Sequence, residues 1–165
     1  MIFTIKKGHH YSNQFLYKLV TFFNFKNKRS NIVEFNESAL YVDSDKQNDY
    51  INKLFGFSNG LHHKNSYRFG WNCLNNKLHI YAYTYINGVL NKQDMGVIEI
   101  NKEYRFTIRV YDNKCVYTYS DSEYNVRQLI INVPFKKVFG YLLWPYFGGK
   151  KTALQKTTIK LTHKF

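Results

Sequence analysis

Residues 78–86 read Leu-His-Ile-Tyr-Ala-Tyr-Thr-Tyr-Ile, and they divide strictly into two alternating sets. In an extended chain Leu78, Ile80, Ala82, Thr84 and Ile86 fall on one face, with His79, Tyr81, Tyr83 and Tyr85 on the other. A helix would scatter the apolar members around its circumference, so the pattern specifies a strand. Asn87-Gly88 follows directly. Both residues tolerate positive φ, which makes the pair a strong two-residue hairpin signal. A strand ending in so tight a turn has an antiparallel partner, and this constrains the chain to antiparallel sheet.

The same signals recur along the sequence. Short apolar or alternating segments at Phe3–Ile5, Ile32–Phe35, Ala39–Val42 and Tyr67–Leu74 read as strands, as do Val97–Ile100, Tyr104–Tyr111 and Cys115–Tyr119. Leu129–Val133, Gly140–Tyr146 and Thr157–Thr162 bring the total to about ten strands. Asn75-Asn76 and Asp112-Asn113 supply further turns, and Tyr104, Phe106, Ile108 and Val110 form a core-facing set. For the apolar run 15–25, periodicity does not decide between strand and short helix. With no long helical period, internal repeat or linker, residues 1–165 are expected to form one domain, an all-β, antiparallel two-sheet sandwich of the jelly-roll kind.

Composition agrees with sheet: 19% of residues are aromatic, including 15 Tyr and 14 Phe, which pack well on a pleated surface. The formal charge of +13, from 24 Lys and Arg against 11 Asp and Glu, favours polyanionic partners. These include nucleic acid, an anionic membrane or glycan, and an acidic protein surface. The basic residues are spread along the chain, so charge alone argues only for non-specific association, and a bias toward AT-rich codons also accounts for many lysines. Cys73 and Cys115 lack metal-ligand spacing and are too few for a disulfide framework; both are expected to be reduced and buried. No cofactor is expected. The N-terminus has no apolar core of signal-peptide length, and no run reaches the roughly 18 apolar residues of a membrane-spanning helix. The expectation is cytoplasmic synthesis without a signal peptide, with a place in a virion reached through lysis.

Five stretches together resemble a known family. They are FTIKKGHHYSN at 3–13, NDYINKLFGFSNG at 48–60, HHKNSYRFGWN at 62–72, LHIYAYTYING at 78–88 and YLLWPYFGGKKTA at 141–153. In this order and spacing they are similar to small concanavalin-like β-sandwich proteins of bacteria and their phages. The resemblance implies the sandwich fold over nearly the whole chain and says little of function, because sandwiches host many activities. This chain departs from the family after Thr152-Ala153: relatives carry Pro, His and Asp where it has Leu154, Gln155 and Lys156. Any family activity that uses that segment is in doubt here.

Candidate sites follow from residue type. His79, Tyr81, Tyr83 and Tyr85 project at intervals of ~7 Å from one face, with Arg68 nearby in sequence. Sugar rings stack on such aromatic rows, although the same row also suits a second packed layer. His62, His63, Asn65 and Arg68 form a polar cluster beside a Gly-containing loop. Like His9-His10, it reads as a solvated loop more readily than as a zinc site. Asp43, Asp45 and Asp49 are the one acidic concentration. They offer oxygens to Ca²⁺ but lack the EF-hand Gly and Glu. Trp144, Tyr146 and Phe147 suit either a partner contact or closure of the core.

Catalytic motifs are missing. Glu99 and Glu103 lack the arrangement of a jelly-roll hydrolase, and neither a nucleophile elbow nor a phosphate loop occurs. The expectation is a non-catalytic interaction module: a structural or decorating component of a phage particle that contacts shell proteins and binds glycan. The alternatives are a free carbohydrate-binding, lectin-like protein and a polysaccharide lyase or hydrolase. An enzyme would bring Arg68, His79 and a tyrosine to one point. Oligomeric state is open.

Overall fold

Three two-residue turns set the frame. Asn75-Asn76 (φ 51° and 58°), Asn87-Gly88 (50° and 84°) and Asp112-Asn113 (47° and 58°) each hold both central residues at positive φ. This is the type I′ geometry whose twist matches that of the flanking strands. The turns join β4 (Ser66–Leu74) to β5 (Lys77–Ile86), β5 to β6 (Val89–Ile98), and β7 (Glu103–Tyr111) to β8 (Lys114–Ser120). The computed structural model describes residues 1–13, 27–43, 50–134 and 139–163. The remaining strands are β1 (Ile2–Ile5), β2 (Lys28–Phe35), β3 (Asn52–Ser58), β9 (Val126–Asn132), β10 (Leu142–Leu143) and β11 (Thr157–His163).

All strand pairings among the described residues are antiparallel, and they form two sheets. A six-stranded sheet runs β1-β11-β2-β7-β8-β9, and a five-stranded sheet runs β10-β3-β4-β5-β6. The protein is therefore the all-β, two-sheet antiparallel sandwich that the alternation requires. The expected alternation in β5 holds: Leu78, Ile80, Ala82 and Thr84 are buried in the core. So are Tyr104, Phe106, Ile108 and Val110 of β7.

Aromatic rings fill the space between the sheets. Phe69 of β4 meets Phe106 and Tyr117 of the opposite sheet edge-on, at 4.9 and 5.2 Å between ring centres. Such pairs add about 1 kcal/mol beyond their area burial. Polar ties cross the core as well. Tyr117 and Thr84 share a 2.8 Å hydrogen bond, and the Tyr119 hydroxyl donates to the Met95 carbonyl at 3.0 Å. Arg29 crosses from β2 and donates to the carbonyls of Leu143 (2.7 Å) and Gly56. Cys73 and Cys115 are both free and buried.

Some boundaries differ from the pattern reading. Residues 37–39 form a 3₁₀ turn capped by the Asn36 side chain, in place of a strand beginning at Ala39. β6 begins at Val89, well before Val97, and Gly140–Tyr146 contributes only Leu142–Leu143 to the strand ladder. β3 has no counterpart in the expected set. The run 15–25, Asp45 and Asp49 lie outside the described residues. No helix among the described residues is long and apolar enough to cross a membrane.

Candidate functional site

Because the inner side of β5 is committed to the core, its other side faces outward. Cross-strand partners share a face, so the register lays out the surface in rows. Arg68 stands between Gly56 and Tyr83, and Tyr83 is followed by Lys92. The next row runs Lys53, Gly70, Tyr81 and Asp94, and Asn72 pairs with His79 beyond it. Gly70 gives room to the Ile51 side chain, whose Cγ2 occupies the space that a Cβ at 70 would need.

The segment 141–147 forms one wall by running beside β3. Ser58 donates its amide to the Tyr141 carbonyl (2.9 Å), while Lys53 and Tyr146 exchange two backbone bonds of 2.8 and 3.0 Å. The loop after β3 closes one end. It is tied to the β5–β6 turn by Gly88 N–H to Lys64 O (2.9 Å) and Asn87 N–H to Asn65 Oδ1 (3.0 Å). The resulting groove has a volume of about 540 Å³ and is lined by Lys53, Arg68, His62, His63 and a set of tyrosines.

Five tyrosines line it: Tyr11, Tyr83, Tyr85, Tyr141 and Tyr146. Tyr83 and Tyr85 meet edge to face at 5.9 Å, as do Tyr11 and Tyr146 at 5.0 Å. The Lys53 ammonium lies over the rings of Tyr83 (4.9 Å) and Tyr146 (5.8 Å) and donates to the Gly148 carbonyl at 2.7 Å. His62 contacts the Tyr141 hydroxyl through Nδ1 and tilts over His63, with 4.1 Å between ring centres.

The electrostatics are one-sided. No Asp or Glu lines the groove among the described residues. The described ion pairs engage Lys102, Lys151, Lys160 and His79, and none includes Lys53 or Arg68. The Arg68 Nε is buried without a hydrogen-bond partner. Burial, with Arg68 and Lys92 nearby, lowers the Lys53 ammonium to about 8. Burial pulls the Arg68 guanidinium below its usual range, and burial with His63 and Arg68 does the same for His62. Tyr83 is pushed up by burial and by Tyr85. At neutral pH the site therefore presents clustered, under-solvated cations between neutral phenols, and an anion placed there relieves their mutual repulsion.

Arg68, Tyr83 and Tyr85 stand together as the row pattern requires, joined by His62 and His63. Tyr81 and His79 lie on the same face beyond the groove lining, where His79 bonds Asp94 at 2.8 Å. His79 is four residues from Tyr83, a separation of about 13 Å along the strand, so it does not converge with Arg68. Trp144 and Tyr146 line the groove. Phe147 is a core residue with no exposed surface, packed on Tyr41 and Trp71, and so offers no contact to a partner. His10 is also occupied, stacking on Tyr146 and bonding the Phe147 carbonyl at 2.9 Å. Asp43 is held by Lys151 at 2.9 Å. No group of three or more potential metal ligands occurs among the described residues. Lys53, Tyr141 and Tyr11 escaped the residue-type reading, since long-range packing alone brings them to the groove.

Neither a family model nor a curated protein matches the sequence. Solved structures do share the fold. The alginate lyase AlyC3 superposes with a TM-score of 0.59 at 15% identity, over 99% of this chain and 74% of that one. A functionally unknown protein from Saccharomyces cerevisiae gives 0.55 at 10% identity, over 84% and 69%. The alginate lyase from Klebsiella pneumoniae gives 0.52 at 12%, over 83% and 59%. At these identities the likeness is one of fold, and the chain is a two-sheet antiparallel β-sandwich of the jelly-roll type.

Proposed function

We propose that this protein binds an anionic polysaccharide across the outer face of its five-stranded sheet. The carrying observation is the groove itself: Lys53 and Arg68 lie, among the described residues, without a carboxylate partner and beside tyrosine rings. What sets these two cations apart from the exposed lysines of the chain is their burial: desolvation lowers both Lys53 and Arg68. The +13 charge would draw a polyanion toward the surface. Alginate lyases among the proteins of similar fold agree with a sugar polymer as the ligand class. In this reading Arg68 and Lys53 hold the acid group and Tyr85 and Tyr146 contact the ring faces, while Tyr83, 7% exposed, supports Lys53 from below.

Affinity electrophoresis in gels containing polygalacturonate or neutral dextran tests it. The native protein should be retarded by the acidic polymer alone, with Arg68→Ala and Tyr85→Ala losing most of the retardation. Equal retardation of the wild type and Arg68→Ala would reduce the effect to surface charge and sink the proposal. We propose a phage-particle decoration as the biological setting. It is supported by the apolar residues exposed along the edge strands, among them Val89 and Leu90 on β6 and Val126 and Ile130 on β9, which suit protein contacts. Sedimentation of the native protein as a free monomer would remove that setting and leave the glycan reading standing.

One observation favours a second, catalytic reading. His62 and Tyr141 are in hydrogen-bond contact at the groove wall, beside the cation that would neutralise a uronate carboxylate. Burial, His63 and Arg68 keep His62 below its ordinary range, hence neutral and able to accept a proton at neutral pH. A lyase would remove the proton next to the carboxylate and expel the glycosidic oxygen, leaving a carbon–carbon double bond. Ultraviolet absorbance of that unsaturated end, measured with polygalacturonate and alginate, separates binding from cleavage.

A further inference from the structure

The outer face does not end at the groove. Beyond it, at the β6 edge, its character reverses. Asp94 is the cross-strand partner of Tyr81, and its Oδ2 accepts from the Nδ1–H of His79 at 2.8 Å. Its Oδ1 accepts the Gly96 amide at 2.6 Å, which fixes the carboxylate beside the bulge between Ile80 and Tyr81. Asn72, buried, is the cross-strand partner of His79 on the same face, and burial followed by Asp94 raises the Tyr81 phenol. Tyr81 is thus a neutral hydroxyl beside a held carboxylate and an imidazole.

From the row spacing, Asp94 lies three strands from Lys53, or about 14 Å, and two residues from Lys92, or about 7 Å. A polymer carrying a charge on every sugar and crossing the sheet from Lys53 would set one of those charges near Asp94. Like charges at close range cost affinity, and more so where solvent is partly excluded. An uncharged sugar has the opposite preference. Its vicinal hydroxyls donate to a fixed carboxylate and to the second ring nitrogen of His79 and accept from Tyr81, and the Tyr81 ring offers an apolar face.

We propose that Tyr81, His79 and Asp94 form a second subsite, selective for an uncharged sugar, so that the ligand is a polysaccharide in which acidic and neutral residues alternate or mix. This rests on the anionic-polysaccharide reading of the groove and narrows it. Arg68 and Lys53 select the acidic unit, and Asp94 rejects a second one at the far end of the face.

The test compares binding of polygalacturonate, acidic at every residue, with that of hyaluronan, in which acidic and uncharged sugars alternate. Titration calorimetry would measure the wild type, Arg68→Ala, Asp94→Asn and Tyr81→Phe. Asparagine keeps an oxygen for the Gly96 amide, and thermal unfolding verifies that the bulge survives. Asp94→Asn should shift the ratio of the two affinities toward polygalacturonate by about tenfold, the size of one removed close charge contact. Tyr81→Phe should weaken hyaluronan alone. If Arg68→Ala lowers both affinities but Asp94→Asn leaves their ratio unchanged, the second subsite is wrong and the groove reading stands. If Arg68→Ala changes neither affinity, the groove reading itself is overturned, and the subsite with it.

Discussion

Tyr117, fully buried on β8, shares a 2.8 Å hydrogen bond with Thr84 of the opposite sheet, and Thr84 sits between the groove tyrosines Tyr83 and Tyr85. The two sheets are tied through their aromatic core at the position where the outer face carries its stacking residues. Burial pushes the Tyr117 phenol far above its ordinary range, so it remains a neutral hydrogen-bonding group at physiological pH.

Removing one partner of this bond strands the other. Thr84→Val keeps the shape and leaves the Tyr117 hydroxyl unpaired, a cost of about 1–3 kcal/mol. Tyr117→Phe should cost less than or about as much, because it removes the larger polar group. The double variant should lose less stability than the sum of the two single losses, since no polar group is then left alone. Urea unfolding of the four proteins measures the coupling, and strictly additive losses would mean the bond contributes nothing.

Lys53 links binding to pH. Its ammonium is lowered to about 8 from an ordinary 10.5, by burial first and then by Arg68 and Lys92. Affinity for an acidic polymer should therefore fall as pH rises through 8, where the charge is lost. Stability moves the other way: between 8 and 10.5 the unfolded chain holds the extra proton, so this group adds stability as pH rises. Cys115, raised by burial, opposes that trend. The comparison is thus made against Lys53→Met, whose binding should be weaker and flat in pH across the same window.

The sheet was legible where one face meets core and the other solvent. β5 and β7 alternate for that reason, and the Asn-rich turns announce their positive φ in the sequence. β3 is different. Almost every residue from Asn52 to Ser58 is buried, with segment 141–147 paired along its edge, and a strand buried on both faces has no period-2 signature. β6 fails in the opposite sense. It is an edge strand whose half-buried Asn91 and exposed Lys92, Gln93 and Asp94 read as loop.

The groove was half legible by the same logic. Arg68, Tyr83 and Tyr85 lie on strands with readable faces, so a row of outward aromatics and a cation followed from spacing. Lys53 sits on the strand that has no pattern, and Tyr141 and Tyr11 arrive from segments far apart in sequence. His79 carried the right residue type on the right face but stands two rows from Arg68, paired with Asp94. Phe147 shows why an aromatic-glycine segment is ambiguous: its neighbour Tyr146 lines the groove while it enters the core.

Two glycines separate steric need from turn need. A Cβ on Gly56 would fall on the Tyr67 carbonyl oxygen and lie 2.7 Å from Arg68 Cα, both of them backbone. Gly56→Ala should cost about 2 kcal/mol or more and shift β3 against the Arg68 row, because backbone cannot move aside as a side chain can. At Gly88, φ is +84° but nothing lies within 4 Å, so Gly88→Ala meets only the left-handed strain of roughly 1 kcal/mol. Equal losses in urea unfolding would contradict this ranking.

Arg29 gives the sharpest separation between stability and function. Its guanidinium lies 4.4 Å from the Trp144 ring and 5.1 Å from Phe55, and donates to the carbonyls of Leu143 and Gly56. It thereby holds the two-residue β10 and the wall that follows it. Arg29→Met keeps the apolar stem and removes the donors, leaving two buried carbonyls short of partners at about 1–3 kcal/mol. The same change removes a buried cation that burial and Arg68 disfavour, which offsets part of that loss. Net destabilisation should therefore stay below about 2 kcal/mol. The wall should loosen all the same: faster amide exchange at Tyr141–Tyr146 and several-fold weaker binding of polygalacturonate. A variant that lost more than about 3 kcal/mol with unchanged exchange at those amides would make Arg29 an element of global stability, with no particular bearing on the groove.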